Sequence, residues 1–323
     1  MLSSFALVPL AGWPSGQTDC YHKPAGRRRQ GPAAASAGRE ASPAPRPRLG
    51  LTAAAPIHTV AAVARTERIT RISQAHPDRI EVRGRDLTGE LMGRLSFTEY
   101  FHLLLTGREP TPDQRFFLDL LLVAIAEHGM MPTNIAARMT LAADPDSLQG
   151  AVAAGILGCG PVMLGTSEAC ARVLAEAAER VDAGASPAAA AAAISAELRG
   201  TGRRLPGFGH PVHKPVDPRA ERILELADER GVAGRYVELT RCFKDAVAEA
   251  WGRPLVMNIS MPIAALMLDL GFPGETVKAI PILARTAGLL AHLAEERDAP
   301  LGFELAAEAE DAIAYEPPPD TGP

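Results

Sequence analysis

Apolar positions recur at helical spacing along most of this chain, and glycines, prolines and cap residues punctuate them. FTEYFHLLLTG carries one apolar face and is stopped by Gly107, after which Pro110 and Pro112 mark the next start. DQRFFLDLLLVAIAEHG reads as a strong helix ending at Gly129. TNIAARMTLAA and SLQGAVAAGILG follow, the second so rich in small residues that close packing on neighbouring helices is expected. GTSEACARVLAEAAERVDAG and SPAAAAAAISAELRG form a helical pair, with Ser186 as the N-cap and Pro187 at the first helical position. Further helices are predicted from Pro218 to about Arg230, from about Gly234 to Trp251, around Met261 to Leu270, and from Glu275 to Glu296, the last clear one. Only EVRGRDLTGE (81–90) reads as an extended or turn region, and no internal repeat is present. The pattern is that of an all-α protein.

The two ends break this pattern. Residues 1–65, with GRRRQGPAAASAGREASPAPRPRLG, have no apolar periodicity and too little apolar surface to offset their ordering entropy, so a disordered extension is expected. The opening MLSSFALVPLAGW has no basic residues ahead of its apolar run, which argues against a secretory signal. The tail over 313–323, ending AYEPPPDTGP, is also expected to be disordered.

Composition supports the helical reading. The chain is 47% hydrophobic but only 5% aromatic, with alanine and leucine dominant, which favours helix over sheet. A formal net charge of −5 offers no basis for nucleic-acid binding. The 4 cysteines are scattered and form no CxxC pair, so neither a disulfide framework nor a zinc site is expected, and reduced thiols point to the cytoplasm. No run approaches the roughly 18 apolar residues expected of a membrane span.

The densest chemistry lies in LPGFGHPVHKPVDPRAERI (205–223). Glycines and prolines constrain its backbone, while His210, His213, Lys214 and Arg219 cluster along it. Histidine suits acid/base work near neutrality, lysine supplies a point charge, and arginine can hold a carboxylate through two parallel hydrogen bonds. Asp217-Pro218 is equally a good helix start, so a plain loop and cap is the competing reading. His128 sits at the end of an apolar helix, where the helix dipole alone would account for a cation. Arg285 falls within IPILARTAGLLAHLAEE and needs a partner, either a substrate carboxylate or an internal acid; His292 reads as a packed histidine.

Together these segments resemble the citrate synthase superfamily, which includes citryl-CoA lyases. GFGHPVHKPVDPRA (207–220) resembles the family's GFGH-x-V-x-K-x-x-DPR loop, and ARTAGLLAHLAEE (284–296) its ART-x-G-x-x-AH helix. RGRDLTGEL (83–91), FHLLLTGREPT (101–111), AEHG (126–129) and NISMPIAALMLDLGFP (258–273) follow in the family's order. The resemblance implies an all-α fold with a large domain over 66–164 and 256–312, a small domain over 165–255, an active-site cleft between them, and a homodimer. It implies that His210 hydrogen-bonds and protonates the keto oxygen of an oxo-acid. His128, Arg219 and Arg285 would bind its carboxylates, and Lys214 would meet a coenzyme A phosphate. Coenzyme A would enter as part of a thioester, beside a small di- or tricarboxylate, and no metal is implied.

The chain departs from the family at two positions that matter. Met163 stands where the family has the histidine that polarises the thioester carbonyl, with Leu164 in place of the next glycine. Ser260 stands where the family has the aspartate base, and no basic residue follows Arg297 to match the family's C-terminal arginine. The oxo-acid half is therefore kept and the enolate half altered. A citryl-CoA-lyase-like cleavage to acetyl-CoA and oxaloacetate, begun by His210 taking the hydroxyl proton, or the related condensation, is the expected reaction. A ligand-binding or assembly protein without turnover is the alternative.

Overall fold

Two reciprocal caps set the first helices. Ser96 and Glu99 exchange side-chain and backbone hydrogen bonds at the start of α1 (Phe97–Thr106), and Thr111 and Gln114 do the same for α2 (Pro112–Ala126). α1 closes on Gly107 in the left-handed conformation, as expected. α2 stops at Ala126, so residues 127–129 form a turn rather than a last helical turn. This computed structural model describes residues 69–318. The extension expected over 1–65 and the last residues of the tail lie outside that range.

Eleven α-helices dominate the described residues, continuing with α3 (Pro132–Ala143), α4 (Leu148–Leu157), α5 (Thr166–Asp182) and α6 (Pro187–Gly200). After the loop come α7 (Pro218–Glu229), α8 (Arg235–Trp251), α9 (Ser260–Asp269), α10 (Ala279–Asp298) and α11 (Gly302–Ala312). Ser186 and Asp217 cap α6 and α7 through their side chains, each with proline at the first position, as their sequences predict.

The fold differs from expectation in two places. The segment before α1 forms a three-stranded antiparallel sheet, β1 (Ser73–Ala75), β2 (Ile80–Val82) and β3 (Arg85–Asp86), where only an extended stretch over 81–90 was expected. Val82 and Leu91 pack with Leu103 of α1 in a small satellite core. At the other end, α11 follows the helix expected to be last. It starts where the buried Glu296 carboxylate accepts the backbone N–H groups of Leu301 and Gly302, at 2.9 and 2.7 Å.

α9 is buried along its length from Ser260 to Met267 and packs against α5, α7 and α8. α10 packs on α2, α3 and α4. Gly274–Asp298 reaches a mean hydropathy of 1.3 over an 18-residue window, enough by length and composition to cross a bilayer, contrary to the reading of the sequence. Here that segment is a packed helix of the core, with Arg285 and Glu296 among its buried residues.

Candidate active site

The loop 205–217 is shaped by pairing with the segment before α9. Gly209 N donates to the Val256 carbonyl at 2.6 Å, Asn258 N donates to the Gly207 carbonyl at 2.8 Å, and Phe208 bridges Met257. Gly207 has φ +80°, and a Cβ there would lie 2.8 Å from Met261 Cβ, so only glycine fits. The pairing brings His210 beside the start of α9.

His210 Nδ1 accepts hydrogen bonds from the backbone N–H of Val212 at 3.1 Å and of His213 at 2.9 Å. A nitrogen that accepts twice carries no proton, so the neutral ring holds its proton on Nε2. Burial, and then the neighbouring His213, push the pKa of His210 below the usual histidine value, which keeps the ring neutral. It is therefore arranged to donate a hydrogen bond through Nε2. That differs from the proton-taking part read from the sequence.

Asp217 does more than cap α7. It is fully buried; its Oδ1 accepts from Arg219 N and Nε, and its Oδ2 accepts from Arg219 Nη2 at 2.9 Å and Ile259 N at 3.2 Å. Burial alone would raise its pKa, but the hydrogen bonds and charge of Arg219 outweigh it and hold the carboxyl below its ordinary value. One carboxylate thus aims Arg219 and anchors the turn into α9.

His128 and Arg285 meet because α10 runs close to the end of α2. A Cβ at Gly288 would run into the Ala126 carbonyl oxygen, so glycine is what permits the approach. Arg285 is 3% exposed, donates from Nη1 to Asn134 Oδ1 at 3.1 Å, and has a buried Nε with no partner among the described residues. Burial pulls its pKa below the usual arginine value. Asn134, itself 0% exposed, also donates to the Gly129 carbonyl at 2.7 Å and to Glu127 Oε1 at 3.2 Å, so it ties the His128 turn to Arg285. His292 lies one layer further out, 3.0 Å from Glu127 Oε2 and bonded to Arg138, as befits a packed histidine. His128 Nε2 shares a 3.1 Å hydrogen bond with His213 Nε2, and burial followed by the charge of Arg219 lowers its pKa.

The altered positions lie in the same place. Leu164 holds φ +63°, the left-handed conformation natural to the glycine that the resemblance puts there. Ser260 is 8% exposed at the first turn of α9, its N–H donating to Asn258 Oδ1 at 3.0 Å. A cavity of about 280 Å³ is lined by His128, Met163, His210, Arg219, Ser260 and Arg285 together with neutral and apolar neighbours. Six of the seven predicted residues converge on it. The seventh, Lys214, is exposed and lines no cavity among those described. A second cavity of about 280 Å³ shares Gly209 and is lined by Arg204, Phe208, Trp251 and Arg253. A larger space of about 450 Å³ beside α5 and α6 contains none of the predicted residues.

His128, His210 and His213 approach one another closely enough for metal ligation. The set fits a cation poorly, because His210 Nδ1 is occupied by two N–H groups and its Nε2 carries the proton, leaving no lone pair. The sequence reading missed Asn134 and the second role of Asp217, and it gave His213 a place in the loop cluster but no part of its own. An asparagine within a helix with apolar periodicity was the one visible signal for the first.

Comparison with known proteins agrees with this geometry. The family model for the C-terminal domain of citrate synthase matches residues 32–301. Glyoxysomal citrate synthase of Cucurbita maxima is 30% identical over 226 residues, 64% of this chain and 40% of that protein. Citrate synthase of Deinococcus radiodurans is 30% identical over 199 residues, 60% of this chain and 51% of that one. The chain thus spans about half the length of the curated relatives it matches. Among solved structures, citryl-CoA lyase from Hydrogenobacter thermophilus superposes with a TM-score of 0.69 at 30% identity, over 78% of this chain and 96% of that one. ATP citrate lyase from Methanothrix soehngenii, solved with citrate and coenzyme A, shares the fold at a TM-score of 0.64 and 23% identity, over 79% of this chain and 42% of that one. A match over residues 32–301, on a helical fold that gathers the motif residues into one cavity, places the chain in the citrate synthase family.

Proposed function

We propose that this protein makes or breaks the carbon–carbon bond between a coenzyme A thioester and a 2-oxo acid, with citryl-CoA cleavage as the parent case. The observation that carries the reading is the convergence of His128, His210, Arg219 and Arg285 on one cavity, with His210 fixed as a neutral donor. The keto oxygen of the oxo-acid, or the alkoxide that precedes it in cleavage, takes the His210 Nε2 hydrogen bond. Arg285 offers its unpartnered edge to a carboxylate. His128 has a Nδ1 with no hydrogen bond among the described residues, and when its Nε2 donates to His213 that Nδ1 is free to take the hydroxyl proton. The thioester lies toward Met163 and Ser260, where the serine hydroxyl can donate to an enolate oxygen. Arg204, Arg253 and Trp251, in the adjoining cavity, suit coenzyme A phosphates and an adenine ring better than the exposed Lys214 does. A homodimer, a cytoplasmic location and a cleft closing between 165–255 and the rest belong to the same proposal.

The test is turnover of 3-hydroxy-3-carboxyacyl-CoA esters, citryl-CoA and citramalyl-CoA first, followed by chromatography of the acetyl-CoA released. The reverse assay supplies acetyl-CoA and a 2-oxo acid and follows the 3-hydroxyacyl-CoA ester formed, by the same chromatography. Product in either direction, lost in His210→Ala, supports the reading; no product from any ester sinks it. Met163 and Ser260 favour a second reading, a protein that binds these ligands without turnover. Calorimetric binding with no product in either assay would select it.

A further inference from the structure

The charges around the cavity limit what the oxo-acid can be. Its only charged lining residues are Arg219 and Arg285. Arg219 is matched by the buried Asp217, which takes its Nε and Nη2. Arg285 stands alone, with Asn134 as its one hydrogen-bond partner among the described residues, and Glu127 is near enough to offset part of its charge. His128 and His210 are held neutral by burial. The site therefore presents at most one uncompensated positive charge.

Much of the remaining lining is apolar: Ile125, Met131, Val162, Met163, Leu164 and Ile259. Val162 is 92% exposed, although it lines the cavity beside two side chains of the same kind. A second carboxylate brought into this space would lose its water and find no unpaired cation, while the polar neighbours Thr166 and Asn258 already donate to the Pro161 and Gly209 carbonyls, which makes the site costly for an ion. A short hydrocarbon group would be favoured there, and the unbranched methionines adapt to its shape.

We infer that the oxo-acid half of the substrate is a 2-oxo monocarboxylate with a short alkyl substituent, not a dicarboxylate such as oxaloacetate. This rests on the thioester and oxo-acid reading above. The carboxylate sits on Arg285, the keto oxygen on His210 Nε2, and the alkyl group among Met131, Val162 and Met163. Charge selects one carboxylate, and the apolar lining selects what replaces the other.

Calorimetry on the full chain with pyruvate, 2-oxobutyrate and oxaloacetate tests this directly. The expected result is 2-oxobutyrate bound at least tenfold more tightly than oxaloacetate, with pyruvate between them. Val162→Lys places a cation at an exposed position of the lining, where folding is not at risk, and should narrow or reverse that ratio. Oxaloacetate bound as tightly as 2-oxobutyrate by the unmodified protein overturns the inference and leaves the thioester reading standing. A monocarboxylate preference without turnover of any ester does the opposite. If none of the acids binds, both fall.

Discussion

Asn134→Ala probes the joint on which the site turns. The side chain is fully buried; its oxygen accepts from Arg285 Nη1 and the Thr133 hydroxyl, and its amide nitrogen meets the Gly129 carbonyl, Glu127 Oε1 and His292 Nε2. Alanine leaves Arg285 with no hydrogen-bond partner among the described residues, and it takes one donor from the Gly129 carbonyl, which keeps the Met131 N–H at 2.8 Å. Hydrogen bonds to charged groups are worth about 1.5–3 kcal/mol, and each stranded buried group costs roughly 1–3 kcal/mol. Water entering from the adjoining cavity recovers part of this, so a loss of about 3 kcal/mol is expected. For a chain of this size that lowers Tm by roughly 6–12 °C. Binding of a 2-oxo acid should weaken at least tenfold as well, because the guanidinium is no longer aimed. Urea unfolding and calorimetry measure the two effects. Stability within about 0.5 kcal/mol of the parent, the level of an ordinary surface change, with unchanged affinity, would show that Asn134 positions nothing.

Leu164→Gly sets two terms against each other: glycine relieves about 1–2 kcal/mol of left-handed strain, whereas losing a buried leucine costs about 2–5 kcal/mol. Net destabilisation of about 2 kcal/mol in urea unfolding is expected, and a more stable glycine variant would overturn the packing argument. His128 and His210 both have lowered pKa values, so below the ordinary value near 6.5 the unfolded chain binds protons that the folded one refuses. Stability should therefore be level above that pH and decline as pH falls from there toward the folded values. The urea midpoint of His128→Asn, His210→Asn should decline less, and an equal decline would remove these histidines as the cause. Ser260→Asp restores a carboxylate at the first turn of α9, where the helix dipole favours it. It should speed exchange of the acetyl protons of acetyl-CoA with D2O by about 10²–10⁴, read by proton NMR; no increase would mean the thioester does not lie there.

How much of this was legible depends on the range of the forces involved. Helices α1, α6 and α7 were readable because Gly107, Ser186-Pro187 and Asp217-Pro218 end or start them through local bonds. α11 was not, since its start depends on the buried Glu296 turning back from the previous helix to accept two N–H groups. The strand Ser73–Ala75 is short and exposed and exists by pairing with Ile80–Val82. The candidates that lie in dense motifs, His210, Arg219 and Arg285, were named from the chain, and the fold brings them to one cavity. Asn134 was missed because a single asparagine in TNIAARMTLAA shows its value only once α3, α10 and the turn at 127–129 meet. The tautomer of His210 was out of reach for a related reason. Its proton is placed by two backbone N–H groups, and loop conformation is invisible in residue types.

The tautomer of His210 also bears on what the loss at residues 163 and 260 means. A missing base does not by itself turn a condensing enzyme into a cleaving one, because both directions cross the same transition states. Without a carboxylate at Ser260 the enolate exchanges its proton with weaker partners, which slows formation of the enolate in one direction and its quenching in the other. The keto oxygen side is different. In the proposed reaction a donor fixed at His210 Nε2 stabilises the negative oxygen as it forms or decays, so the carbon–carbon step keeps its electrostatic help. The bond-making step is thus supported while the proton step is not, and the two become separable in rate. Direction then follows from the relative stability and supply of thioester and oxo-acid, while the altered residues show in which step is slow.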